Sequence, residues 1–346
     1  MSIAALLREL NEAAARNSAD DVKFRYDGSL KSWVQSAVSV VALFSFAYSL
    51  APFGLLASGL VLMTFSWICA EVVSRPYRLA LPSIPVLASF MTGCLLAGTA
   101  ITSQLLATMD DTPVALVALT PGVDSSQILR GAGRAALLAA ATLIFYARFR
   151  VPLAVPFIIL AAFIAMASVI IVFMQEFAGQ AAEITQVAFV ISTLVLAAKY
   201  DLSDPLRSSR RSDVAFWLYA LTGLWTVFAL QSNPYVGSAT PGIGLYLSMI
   251  TLFSALLAIG LCFDRQILPA SFIFSSSAYM TLFHYRLDQS SPTVMLWPVL
   301  ALLLMLVLAR IWPRLRATFL RNAPLGSFVN RLPPTRGVWN DRSPSC

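Results

Sequence analysis

Residues 151–173, VPLAVPFIILAAFIAMASVIIVF, carry no charged side chain. A run of about 20 such residues, coiled at about 1.5 Å per residue, matches the roughly 30 Å of hydrocarbon in a bilayer. A water-soluble core can hide one helix that is apolar on every side, but it cannot hide many. This chain repeats the pattern. By the length rule, ten spans are expected, near residues 33–50, 53–73, 84–107, 129–147, 153–173, 181–198, 214–231, 243–263, 266–284 and 292–312. Apolar types make up 58% of the 346 residues and charged types 12%, with a mean hydropathy of +0.75, so lipid must be the main solvent. The expected fold class is therefore all-α, a polytopic transmembrane helical bundle of about ten spans. Residues 1–31 read as an N-terminal segment, 32–312 as the transmembrane domain, and 313–346 as an Arg- and Pro-rich tail with no periodic apolar face, exposed and partly disordered.

Orientation follows from the basic residues. With both termini cytoplasmic, all but Arg130, Arg134 and Arg286 of the 24 lysines and arginines fall on the inner side. The first segment places Ile3, Leu6, Leu7 and Leu10 at i, i+3, i+4 and i+7, the pattern of a short amphipathic helix lying on a surface, and it lacks the cleavage site of a signal peptide. The net charge of +7 is then a topological signal plus attraction to anionic inner-leaflet lipid. The expected partners are the bilayer and those lipids, and nucleic acid is not among them. Three inner turns, Arg78 to Pro82, Arg148 to Pro152 and Arg265 to Pro269, set an arginine four residues before a proline. Either every entry into a membrane looks this way or the fold is built of duplicated hairpins.

One polar island interrupts the apolar pattern. KYDLSDPLRSSRRSD, Lys199 to Asp213, separates the sixth and seventh spans. Asp204 before Pro205 predicts a helix start. Arg207, Arg210 and Arg211 would share one face at i, i+3 and i+4, and Ser212 or Asp213 would cap the next span. Asp201, Asp204 and Asp213 match the three arginines in number, which favours an internally paired loop over an open phosphate cradle.

The island's continuation YDLSDPLRSSRRSDVAFW, with AEVVSRPYRLALPSIPVLASF, DRQILPASFIFSSSAYM and IWPRLRATFLRNAPLGSFVNRLPP, resembles an uncharacterised family of proteobacterial multispan inner-membrane proteins, in the same order from about Arg75 to Pro334. That resemblance implies a helical membrane fold and a bacterial inner-membrane location, with no catalytic residue to transfer. Members often carry a His two residues after the Trp, where this chain has Tyr219.

Charges inside a bilayer are costly, so those that persist are functional candidates. The fourth span is clearly apolar only over 135–147, and extending it to spanning length draws Arg134 into the outer leaflet. Glu176, Gln180 and Glu183 follow at i, i+4 and i+7. A polar outer-leaflet cluster of Arg134 with one of these glutamates is expected, against the alternative that Arg134 snorkels to the headgroups. Glu71, four residues before Arg75, fits a helical ion pair. Of the enzyme patterns, Asp201-x-x-Asp204 lacks the second acidic loop needed to clamp a diphosphate through metal ions. Asp110 and Asp111 weakly resemble the acidic outer loop of lipid-linked sugar transferases. There is no G-x-S-x-G serine, no phosphate-binding Gly-rich loop, no cysteine pair and only one histidine, His284. No cofactor, metal or catalytic residue is expected, and the reading leans away from an enzyme. The leading expectation is transporter-like binding or movement of a small solute or lipid. The alternatives are a scaffold or regulatory subunit docking a cytoplasmic partner through the island and the tail, and a lipid-linked glycan enzyme.

Overall fold

A computed structural model describes residues 54–71, 80–105, 125–204, 207, 209–231, 243–287, 293–322 and 332. Among these residues the regular structure is helical: α1 (Leu55–Cys69), α2 (Ala80–Leu105), α3 (Ser125–Phe149), α4 (Ala154–Phe173), a 3-10 turn (Gln175–Phe177), α5 (Ala178–Leu202), α6 (Arg210–Gln231), α7 (Ile243–Phe263), α8 (Ile267–Leu287) and α9 (Thr293–Asn322). Seven of these helices are long and apolar enough to cross a membrane; α1 and the apolar part of α8 are shorter. The span expected at 33–50, the amphipathic N-terminal helix, Arg75, Arg78 and the Asp110–Asp111 pair lie outside the described residues.

The chain forms two compact units, one through Thr185 and one from Gln186. In the first, α1 and α2 cross with almost no side chain between them. A Cβ on Gly59 would meet the Ala97 nitrogen at 2.5 Å and the Gly93 carbonyl at 2.7 Å, and one on Gly93 would meet the Gly59 carbonyl at 2.8 Å. In lipid, where no hydrophobic force drives helices together, such small residues let backbones gain dispersion contacts. At one end of this unit Trp67, Phe90, Phe145 and Phe149 stack with centroids 4.6 to 6.0 Å apart. Beside them Glu71 accepts a 2.7 Å bond from Arg148 Nε. Its described partner is thus a residue far along the chain, where the sequence had suggested Arg75 on its own helix.

In the second unit α6 and α8 make the equivalent close approach. A Cβ on Gly223 would strike Ser271 Oγ and the Leu268 carbonyl. Leu261 of α7, Ile273 of α8 and Ala301, Leu308 and Trp312 of α9 form the core of that side, backed by Leu315 and Phe319. Helix α9 does not stop at Trp312, where the sequence placed the start of an open tail. It continues to Asn322, because Trp312, Leu315 and Phe319 still have a core to pack against.

Candidate functional site

The polar island and the turn between α7 and α8 come together at one end of the second unit. The turn is shaped first by its own backbone. Asp264 adopts a left-handed conformation with φ of 52°, and the Arg265 N–H returns to the Gly260 carbonyl at 2.8 Å, which closes α7 in a Schellman-like cap. Gly260 has to be small there, since a Cβ would sit 3.0 Å from the Arg265 carbonyl and 3.3 Å from the Trp312 ring. This cap turns the Arg265 side chain beneath the ends of α5 and α6.

Arg265 then binds Asp201 with both arms of its fork. Nε donates to Oδ2 at 3.1 Å and Nη2 to Oδ1 at 2.5 Å, while Nη2 also reaches the Ser212 carbonyl and hydroxyl at 3.2 Å. The Asp201 side chain is fully buried, and that of Arg265 is 9% exposed. A fork-to-carboxylate pair of this kind fits Arg and would not fit Lys. The α7 end is capped from two sides. Arg207 Nη2 donates to the Phe263 carbonyl at 2.5 Å and to that of Asp264 at 3.3 Å, and Arg316 Nε donates to the Leu261 carbonyl at 3.0 Å. These are the carbonyls that a helix terminus leaves without internal partners, and cations there also oppose the helix dipole. Asp264 gathers the same residues by its side chain: Trp312 Nε1 donates to Oδ1 at 2.9 Å, Arg207 Nη1 lies 3.5 Å from Oδ2, and Arg316 Nε lies 3.8 Å from Oδ1. Burial, and after it the neighbouring Arg265 guanidinium, pushes the Arg207 pKa below its ordinary value. An arginine remains protonated through such a shift.

The island itself is organised differently from the sequence expectation. Arg207 has φ of 55° and sits outside any helix, so it does not share a helical face with Arg210 and Arg211. The cap of α6 is Ser209, whose Oγ accepts the Arg211 N–H at 3.2 Å; Ser212 and Asp213 already lie in the first turn. Asp204 Oδ2 accepts both the N–H and the hydroxyl of Ser209, at 2.8 and 2.7 Å, and so ties the loop to that cap. The pairing is only partly internal. Arg207 lies 3.9 Å from Asp201, but the closest partner of Asp201 is Arg265, from another turn. Asp213 is buried, Arg210 is half-buried and Arg211 is exposed.

A polar seam runs from this cluster along α5 and α6. On α5 the residues Gln186, Phe189, Thr193, Ala197 and Asp201 recur at helical spacing, and all five are buried. On α6 Ser212, Ala215, Tyr219, Thr222 and Thr226 do the same. The two faces meet where Thr222 Oγ1 lies 3.1 Å from Thr193 Oγ1 and where the rings of Phe189 and Trp225 touch edge to face at 5.4 Å. Two members stand apart. Both amide atoms of Gln186 and the hydroxyl of Tyr219 are buried and have no hydrogen-bond partner among the described residues. The Tyr219 ring lies 6.0 Å from that of Phe263, at the α7 end that the arginines cap.

Of the outer cluster, Arg134 is buried at 8% exposure, and its Nε donates to Thr102 Oγ1 of α2 at 2.6 Å. Arg130, one turn away, is also buried. Glu176 lies in the 3-10 turn, so one α-helix does not carry the i, i+4, i+7 register; Glu176 and Gln180 are exposed, and Glu183 is half-buried. Among the described residues no group of three or more His, Cys, Asp or Glu side chains could hold a metal ion.

Sequence reasoning passed over Gln186, Thr193, Thr222, Asp264, Trp312 and Arg316, and noted Tyr219 only as the place where the resembled family often has a His. A signal existed for some of them: hydroxyl and amide residues recurring every three or four positions inside an apolar span mark one polar face. Nothing local announced that Asp264 and Trp312 would meet.

Apolar helices of spanning length, joined through helix-end charges, define the class as a polytopic α-helical membrane protein. Comparison with protein-family models, curated proteins and solved structures finds no match to the chain.

Proposed function

We propose that this is a transporter-like protein of a bacterial inner membrane, with both termini and the charged cluster on the cytoplasmic side. The second unit would carry a small polar solute along the α5–α6 seam. The observation behind this reading is a pair of polar groups, Gln186 on the buried face of α5 and Tyr219 on that of α6, that have no hydrogen-bond partner among the described residues. About 15 residues of helix separate Gln186 from Asp201, or some 22 Å along the axis, which is most of a bilayer's apolar thickness. Burying an amide or hydroxyl with no partner costs about 1 to 3 kcal/mol, so a sequence that places two along one seam is supported by water or solute filling it. Between Gln186 and the charged end at Asp201, the seam's polar groups, Thr193, Tyr219, Thr222 and Thr226, are neutral donors and acceptors. At its cytoplasmic end, Arg265, Asp201, Arg207 and Asp264 join the ends of α5 through α8 and form a closure that has to open for passage.

The test uses the full-length protein with its cysteines replaced, reconstituted in liposomes. Cysteines placed singly at Thr222, Thr226 and Gln186 should react with a small water-soluble thiol reagent, while one at the lipid-facing Val195 should not. Osmotic equilibration across the vesicles should be faster than in empty liposomes for at least one small polar solute, and Gln186→Leu should abolish the gain. Seam positions that stay as unreactive as Val195, with no solute accelerated, would end the transport reading.

A further inference from the structure

Helix α9 is the longest helix described, running from Thr293 to Asn322. At about 1.5 Å per residue its 30 residues extend about 45 Å, against roughly 30 Å of hydrocarbon. One end must therefore leave the apolar layer. Its inward face, with Ala301, Leu308, Trp312, Leu315, Arg316 and Phe319, packs in the second unit.

The opposite face changes character once along its length. Leu300, Leu303 and Val307 follow at helical spacing and are 45%, 53% and 53% exposed. Next on the same stripe come Arg310, Arg314 and, after the exposed Ala317, Arg321, all exposed. Among the described residues none of these three arginines makes a hydrogen bond or ion pair, in contrast to Arg316 on the inward face. An aliphatic stripe that turns to arginine within one helical turn marks the level at which acyl chains end. Trp312 lies at that same level and is bonded to Asp264, so the whole charged cluster sits at this depth.

We propose that Arg310 and Arg314 form a binding face for the phosphate of an anionic phospholipid, on the outside of α9 and on the side of the membrane that holds the Arg265–Asp201 cluster. The inference rests on the membrane reading but not on transport. The occupant follows from continuity: acyl chains that lie along Leu303 and Val307 deliver their phosphate to the arginines one turn further on. Each guanidinium presents a planar fork that matches two phosphate oxygens, and the two are separated by about 6 Å of rise, within reach of one headgroup or of two neighbours. Arg321, two turns further out, would reach only lipids drawn up around the helix. Attraction to an anionic surface contributes about fivefold in affinity for each arginine near it.

The experiment measures the thermal midpoint of the full-length protein in neutral detergent, and the lipids retained on it by native mass spectrometry. Phosphatidylglycerol, phosphatidylcholine and inorganic phosphate are added in separate arms. Phosphatidylglycerol should raise the midpoint and remain bound, while the other two do neither. The R310Q/R314Q variant should bind phosphatidylglycerol about 10- to 30-fold more weakly, at unchanged lipid-free stability because both positions are exposed. R310K/R314K should keep part of the affinity, since charge survives but the fork does not. A charge-matched control, R336Q/R342Q, should behave as wild type. Equal response to phosphatidylcholine, an equal shift with inorganic phosphate, undiminished binding by R310Q/R314Q, or equal loss in the control would each overturn the proposal.

Discussion

A guanidinium withdrawn from water needs acceptors for its donors, and Arg265 finds them in Asp201 and Ser212. Its removal therefore does more than delete one contact. We predict that Arg265→Ala lowers stability by about 3 to 5 kcal/mol, because Asp201 is left as a buried carboxylate without its principal cation. Asp201→Asn combined with Arg265→Gln should recover much of that loss in thermal unfolding, whereas simple additivity would mean that the pair is not coupled. Arg134 gives a second prediction at this scale. With Thr102 Oγ1 at 2.6 Å, Arg134→Ala and Thr102→Val should couple by about 0.5 to 3 kcal/mol. A parallel cycle with Glu176→Gln should be additive to within about 0.5 kcal/mol, as Glu176 is exposed. Strong coupling to Glu176 would restore the outer-leaflet ion pair in place of the threonine contact.

Among the elements, the α6–α8 crossing is where packing is tightest in the second unit. Two obstacles face a side chain at Gly223, the movable Ser271 hydroxyl and the Leu268 carbonyl at 2.5 Å, which belongs to the backbone. Gly223→Ala should cost about 1 to 3 kcal/mol by forcing the helices apart. Adding Ser271→Ala should not rescue it, since the carbonyl remains. Full rescue would show that only the side chain had been in the way. The α6 cap offers a milder case: Ser209→Ala removes the acceptor for the Arg211 N–H and the donor to Asp204, and should cost about 0.5 to 2 kcal/mol on a melting curve.

For the whole molecule, the test is topology. A reporter fused after Asn322, past the end of α9, should read as cytoplasmic, and one inserted near Ser238 as periplasmic. The opposite result at either position would remove the charge-bias argument and, with it, the side assigned to the lipid face on α9.

Hydropathy was enough for the helical membrane class and for the approximate place of every described α-helix, because a bilayer demands length and apolarity, and both are written residue by residue. It also marked Asp201 and Arg207 as notable. It could not assign their partners. Arg265 reads in sequence as one more headgroup-level arginine, and Trp312 and Arg316 as the edge of a tail; they join the island because Gly260 and the left-handed Asp264 turn the α7 end beneath its neighbours, and because α9 runs past the point where its apolar run ends. The same holds for the seam. Gln186 and Tyr219 are ordinary polar residues in their own spans until tertiary packing buries both, with no hydrogen-bond partner among the described residues. Periodicity is a local property of the chain, whereas ion pairing and shared burial depend on which helix ends meet, and only tertiary packing decides that.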